Sequence, residues 1–413
     1  MILSTNIQPI NMGTTFFHNI AKFAKSSECT ACMACLDTCP HAAIGYAIDK
    51  NGFLRISVDH NRCTDCGACW KNCPGLNGKR YGESKIAEAF AGWNNDEKQR
   101  QFSASGGVFA ALATYVLQCG GLVYGAAIHG FEIKHIRVNN FEDLYRLQNS
   151  KYQHSVTAGV YKQVKEDLRQ GKTVLFSGLG CQVAALYAYL RHEPYDNLYT
   201  VDTICGGLSS MLPMFSLAGS GNYRGIISFR DKGNGWKSIG FTYRLKLTGS
   251  DGTVKDLGNQ NIALKCFSAK ITKRASCLNC RFVGFKRQSD CTIGDFWGDT
   301  DFSHQHSNGL SSLIVHSERM YELLQKANLT MCEVDIAKIA HGNPNLYFGD
   351  FKGIRRLMSR HLAFFFLRNK LYRLVWSLVD YESKLSFEMK LYGRLSQRKV
   401  EKTLEDQLKL LSK

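Results

Sequence analysis

The sequence runs to 413 residues, 44% of them apolar, with 16 cysteines and a formal charge of +17. That length admits two or three domains, each able to bury a core, and no apolar run reaches the roughly 18 residues that a membrane-spanning helix needs. Cysteines in such number without obvious pairing suit a reducing cytosol, and the stretch before Phe23 breaks its apolar residues with Asn, Gln and Thr, so no secretory signal is expected and the protein reads as cytoplasmic.

Residues 1–24 form a poorly specified lead-in. Residues 25–78 then carry Cys29, Cys32, Cys35 and Cys39 before Pro40, and Cys63, Cys66, Cys69 and Cys73 before Pro74, one C-x2-C-x2-C-x3-C-P spacing written twice. In such runs the first three thiolates wrap one 4Fe-4S cube and the fourth crosses to the other. The expected ligand sets are Cys29, Cys32, Cys35 with Cys73, and Cys63, Cys66, Cys69 with Cys39. Disulfides fit two identically spaced runs far less well. Between the runs, apolar and polar residues alternate around Asn51-Gly52, the pattern of a β-hairpin that would hold the two loops face to face. Gly75 to Lys85 is a polar connector.

Over residues 79–345 strands alternate with helical stretches. IAEAFAGW, LVYGAAI, TVLFSG and NLYTVDTI read as strands, and GVFAALATYVLQ, VTAGVYKQVKEDLRQG and CQVAALYAYLR as helices, implying a partly parallel, helix-covered sheet. Two glycine-rich joints, Ser103 to Gly107 and Ser177 to Gln182, sit where a strand hands over to a helix. Each is either a phosphate-holding helix start or a tight turn that merely needs glycine. Further on, IISFRDK and IGFTYRLKLT look antiparallel, with Ser250-Asp251-Gly252 as a turn.

Residues 346–413 form a basic, amphipathic helical tail. It is either an appendage packed on its own domain or on a partner, or a peripheral contact with the anionic inner membrane face. The fold class is therefore α/β (α+β): a small two-cluster ferredoxin-like domain, a larger mixed-sheet domain and the tail. Each bound cube, at about −2, offsets part of the positive charge. The basic surface that remains can steer an acidic redox partner, a membrane face or an acidic substrate. Nucleic acid is not expected, because no nucleic-acid module is recognised and the basic residues are spread.

Among the other cysteines, Cys277 and Cys280 have ligand spacing, and Cys181 and Cys205 follow strands beside glycines. On residues alone these four are as well read as a third cluster as not. Cys119, Cys266, Cys291 and Cys332 lie in apolar or helical patterns and read as small buried hydrophobes.

From Cys29 to about Gly298 the chain resembles the coenzyme F(420) hydrogenase/dehydrogenase beta-subunit family, as a divergent bacterial-type member. The stretches that carry this are SASGGVF, GGLVYGAAI, NSKYQHS, VLFSGLGCQVAAL, NLYTVDTICGG, FRDKGNGW, RASCLNC and SDCTIGDFWGD. Members are iron–sulfur flavoproteins. The resemblance implies FAD at the loops of Ser103, Ser105, Gly106 and Gly107 and of Ser150, Lys151 and Tyr152, and a third 4Fe-4S cluster on Cys181, Cys205, Cys277 and Cys280. Leu179-Gly180 stands where the family usually has Thr-Pro, and Gly206-Gly207 with Leu208-Ser209-Ser210 where it has His-Gly and Pro-Ser. The substrate is thereby left open.

The expected function is that of an oxidoreductase passing single electrons from a redox partner protein, a ferredoxin or another subunit, through clusters to or from FAD, which exchanges a hydride with a small-molecule acceptor or donor. A flavin-free relay subunit of a larger redox complex is the alternative. Lys151, Arg230 and Lys232 stabilise a reduced, anionic flavin, bind an acidic substrate, or are solvated surface charge. His154 is either a proton donor or polar surface. Asp295 either orients groups beside the third cysteine set or caps a strand.

Overall fold

The structure, a computed structural model, describes residues 20, 23–24, 27–76, 88–233, 235–236, 243–259, 261–347, 353–379, 402 and 405. Most of the lead-in, most of the polar connector, the start of the IGFTYRLKLT stretch and most of the tail beyond 379 lie outside them.

The two cysteine runs repeat in backbone as well as in spacing. Ala31 and Met33 in the first, and Asp65 and Gly67 in the second, hold positive φ of 53°, 66°, 56° and 70°. Met33 and Gly67 open the short helices Ala34–Thr38 and Ala68–Lys71. Between the runs, β1 (Ile44–Ile48) and β2 (Leu54–Val58) pair antiparallel with Tyr46 opposite Ile56. The side chain of Asp49 makes the turn, accepting from the N–H of Asn51 at 2.8 Å and of Phe53 at 3.0 Å. At the tip Gly52 takes φ 74° and lies so close to residue 212 that an added Cβ would stand 2.7 Å from the backbone nitrogen of Leu212. The carbonyl of Gly52 in turn accepts from Met211 N–H at 2.9 Å, so the tip is seated in the larger unit.

The remaining strands are β3 (Glu88–Asn94), β4 (Leu122–His129), β5 (Glu132–Val138), β6 (Ser155–Val156), β7 (Val174–Leu179), β8 (Leu198–Thr203), β9 (Tyr223–Arg230), β10 (Tyr243–Gly249), β11 (Val254–Asp256), β12 (Cys291–Asp295), β13 (Ser311–Val315) and β14 (Leu329–Glu333). Nine of them form one mixed sheet in the order β14-β3-β13-β12-β8-β7-β4-β5-β6, while β11-β10-β9 form an antiparallel sheet of their own. The centre of the large sheet is parallel: β4 with β7, β7 with β8, and β8 with β12. Period-two alternation splits β7 between two cores. Leu175 packs with Leu112, Val116 and Leu324, whereas Val174 and Phe176 pack with Val164, Val183 and Leu186. Helices thus cover both faces, as a buried parallel centre requires.

The ferredoxin unit docks on that second face. Asp37 is buried and accepts from the N–H of Gly159 at 2.6 Å and of Tyr161 at 3.0 Å, capping the helix Val160–Arg169 from outside its own segment. Thr157 and Tyr161 hydroxyls both donate to the carbonyl of Cys32, at 2.9 and 2.8 Å. The helix Gly353–Arg368 and the helical residues 372–379 that follow pack through Ala363, Leu367, Val375 and Val379 onto Ile262, Cys266 and Ile271, so this described part of the tail is an appendage on its own chain.

Two expectations change. The Ser103–Gly107 joint does not follow a strand directly: the helix Glu97–Phe102 precedes it and Val108–Gln118 follows, because Asp96 caps a helical turn straight after β3. Cys266 and Cys291 are buried as expected, but Cys119 is exposed at a helix end and Cys332 is half-buried on β14 at the sheet edge.

Candidate functional site

The structure gathers the ferredoxin thiols around two cavities, one lined by Cys29, Cys32, Cys35 and Cys73, the other by Cys39, Cys63, Cys66 and Cys69. Each cavity draws three cysteines from one run and the fourth from the other. Among the described residues no three His, Cys, Asp or Glu side chains close on a single ion. A cube needs its thiolates spaced around a void rather than converging on a point, and the cavities supply that spacing. Burial pushes Cys32 and Cys69 up to about 11 and Cys73 up to about 12. Free thiols would therefore stay protonated here, and it is metal that draws out the thiolate and releases the proton. Backbone N–H groups already point at sulfur, from Ala31 to Cys29 and from Ala43 to Cys39, each at 3.4 Å.

A further group of thiols has the same character. Cys181, Cys205, Cys277 and Cys280 lie within electrostatic reach of one another. Three of them accept backbone N–H groups: Cys205 from Gly207 at 3.3 Å, Cys277 from Leu208 and Cys280 from Phe282, both at 3.4 Å. Burial pushes Cys205 up to about 12 and Cys181 well above the ordinary thiol range. Cys181 also feels Cys32 of the first cavity, because the helix Gly180–Tyr189 packs against Ala34–Thr38. Cys181 owes its place to the β7 joint, where the Gln182 side chain accepts the Leu179 N–H at 2.9 Å and starts the helix.

Beside these thiols lies a buried polar loop. Lys151 Nζ donates to the carbonyls of Arg146 and Gln148, at 3.1 and 2.6 Å, and burial pushes it down to about 7. Neither ring nitrogen of His154 and neither amide atom of Gln153 has a partner, and both side chains are buried. His135 shares Nε2 with the Ser177 carbonyl at 3.0 Å and leaves Nδ1 unpartnered. Burial, then Arg274 and His135, hold His154 well below the usual imidazole range, so it stands here as a neutral hydrogen-bonding group rather than a charged acid. Each unsatisfied buried polar atom costs about 1–3 kcal/mol. Such a cluster fits a loop whose partner is a bound polar molecule.

The Ser103–Gly107 joint differs. The Ser103 hydroxyl donates to Gln99 O at 2.8 Å, that of Ser105 to Leu310 O at 2.6 Å, and the Gly106 N–H to Ser311 Oγ at 3.0 Å. A Cβ at Gly106 would stand 2.4 Å from the Gly92 carbonyl, so close packing requires this glycine. These groups are spent on the preceding helix and on Leu310 and Ser311, and leave little for a phosphate. Lys232 ties the joint down through the carbonyls of Arg100, Ser105 and Asn308, three acceptors that match the donors of an ammonium. Arg230 is buried against Asp295 at 2.8 Å and not solvated. The Asn149 amide bonds the Arg230 carbonyl at 3.0 Å, so the 230–232 segment touches both loops. Sequence reasoning missed His135, and it passed over Gln153 and Arg274 inside stretches it had singled out.

Residues 28–75 match the 4Fe-4S dicluster domain. Repeated motif, crossed cavities and this match define an iron–sulfur electron-transfer protein. Residues 171–338 match the family described as the C terminus of the coenzyme F(420) hydrogenase/dehydrogenase beta subunit, the family that the sequence resembles. A chain from the F(420)-reducing NiFe hydrogenase complex of Methanosarcina barkeri is 17% identical over 75% of this chain and 95% of that one, with a TM-score of 0.42. No curated protein matches. No described helix is long and apolar enough to cross a membrane.

Proposed function

We propose that this chain is an iron–sulfur flavoprotein oxidoreductase that passes electrons between a redox partner protein and an organic two-electron substrate, a deazaflavin of the F(420) kind or another acceptor. The observation that supports it most is the succession of donor groups. The first cavity borders the Cys181, Cys205, Cys277 and Cys280 group through Cys32, and that group borders the unpartnered loop through Gln182, whose amide reaches Ser155 Oγ at 2.9 Å. Bound FAD would supply the exchange between one-electron and two-electron chemistry. The chain's own part is to hold a polar ring. Gln153 and His154 offer donors and acceptors to it, and Lys151 supplies a proton or a positive charge at Nζ near neutral pH. Tyr152, with Phe267 at 4.5 Å and Phe229 at 5.8 Å between ring centroids, walls off water. The Ser103–Gly107 joint shapes the site from the side of β13.

Anaerobic purification with iron counting and flavin extraction on one sample tests the reading. Released FAD and roughly twelve irons per chain, four to each cube, are expected. Roughly eight irons and no flavin after reconstitution with both would overturn it and leave a relay subunit.

A further inference from the structure

Arg274 is 1% exposed, and its guanidinium spends its donors on main-chain carbonyls: Nε and Nη2 on Cys29 at 3.1 and 2.9 Å, and Nη1 on Leu54 at 2.8 Å. No carboxylate of the described residues pairs with it, whereas the buried Arg230 and Arg287 each meet an aspartate. Asp49, a carboxylate within its electrostatic reach, is engaged with Arg55 at 2.9 Å. A buried cation facing only neutral acceptors is costly, and proteins keep such a group where an anion compensates it.

Its surroundings say where that anion would be. On one side is the Cys29 loop of the first cavity, gripped by the side chain. On the other is Cys277, whose N–H bonds the Arg274 carbonyl at 3.1 Å, and the 205–208 segment, held by the Arg274 N–H on Leu208 O at 2.7 Å. The thiols of Cys29 and Cys277 are both within its electrostatic reach, as is the His154 ring. The one charge therefore faces two thiolate cages.

We infer that Arg274 is the shared counter-cation of the first-cavity cluster and of the Cys181, Cys205, Cys277 and Cys280 cluster, raising the reduction potential of both. This rests on the third-cluster reading above. Net charge near a cube sets its potential, and a fixed cation favours the more negative, reduced state.

The test is an anaerobic potentiometric titration followed by electron paramagnetic resonance. It uses the full chain reconstituted with iron and sulfide, as wild type, Arg274→Gln and Arg274→Lys, with iron counted on every sample. A Cys277→Ser chain identifies the third-cluster signal. In Arg274→Gln the reduced-to-oxidised ratio of both clusters at a fixed potential is expected to fall about tenfold, which is about 59 mV for a one-electron couple. The cluster of Cys39, Cys63, Cys66 and Cys69 should not move, and Arg274→Lys should stay near wild type. Unmoved potentials in a fully loaded Arg274→Gln, or an equal fall in Arg274→Lys, overturn the inference while leaving the third cluster standing. If the Gln variant does not hold iron, the Lys variant decides: potentials kept support the shared charge, potentials lost overturn it. Eight irons in the wild type end the third-cluster reading and this inference with it.

Discussion

Lys151 donates to two carbonyls, as many as a neutral amine can serve, and burial brings it from 10.5 down to about 7. Between those values the unfolded chain holds a proton that the folded chain does not, so stability rises with pH through this window. Lys151→Met should flatten that rise, seen as a urea midpoint that changes less from pH 7 to pH 9 than in the wild type; an equally steep rise would mean another group is responsible. Asp295 faces the opposite situation. Asp295→Asn leaves the Arg230 guanidinium buried without its counter-charge and should cost about 3–5 kcal/mol in anaerobic denaturant unfolding. At this scale the ferredoxin cysteines were legible, since one spacing written twice constrains the backbone that wraps a cube. The bonding of Arg274 and Lys232 was not, although both sit in stretches the sequence singles out, because their acceptors lie 245 and 127 positions away. His154 sat in a recognised stretch, yet nothing in that stretch tells a surface loop from a buried one.

Elements were readable where apolar periodicity was strong. The short apolar run of β7 and the longer apolar stretch Val108–Gln118 announced a strand and a helix, and the alternation around Asn51-Gly52 announced the hairpin. The short helix Glu97–Phe102 was missed, for its residues are polar and only the Asp96 cap marks it. The Val160–Arg169 helix has glycine at its cap position and takes its side-chain cap from Asp37, 122 residues earlier. Asp37→Ala should cost about 1–2 kcal/mol. It should also speed amide exchange at the first turn of that helix and in the Cys29–Cys39 loop together. Faster exchange in the helix alone would mean that Asp37 caps it without tying the two units.

Across the whole molecule, charge shapes encounters more than fold. With a formal charge of +17, partly offset by clusters, the surface should steer an acidic partner. Electron exchange with an acidic ferredoxin should therefore slow steeply as ionic strength rises from about 0.05 to about 0.5 M, where screening shortens to a few ångströms. A rate indifferent to salt in stopped-flow measurements would place the docking on neutral surface.

The seating of Gly52 against Leu212 carries one more consequence. No residue with a Cβ fits at that tip without moving the backbone it touches, and the Cys32 carbonyl, the Asp37 carboxylate and the Cys29 carbonyl are engaged across the same boundary. The iron-carrying part is thus not an interchangeable cartridge. A ferredoxin transplanted from another protein would bring its own cubes but not these four handholds, and it would have to acquire them before the two halves could work as one wire.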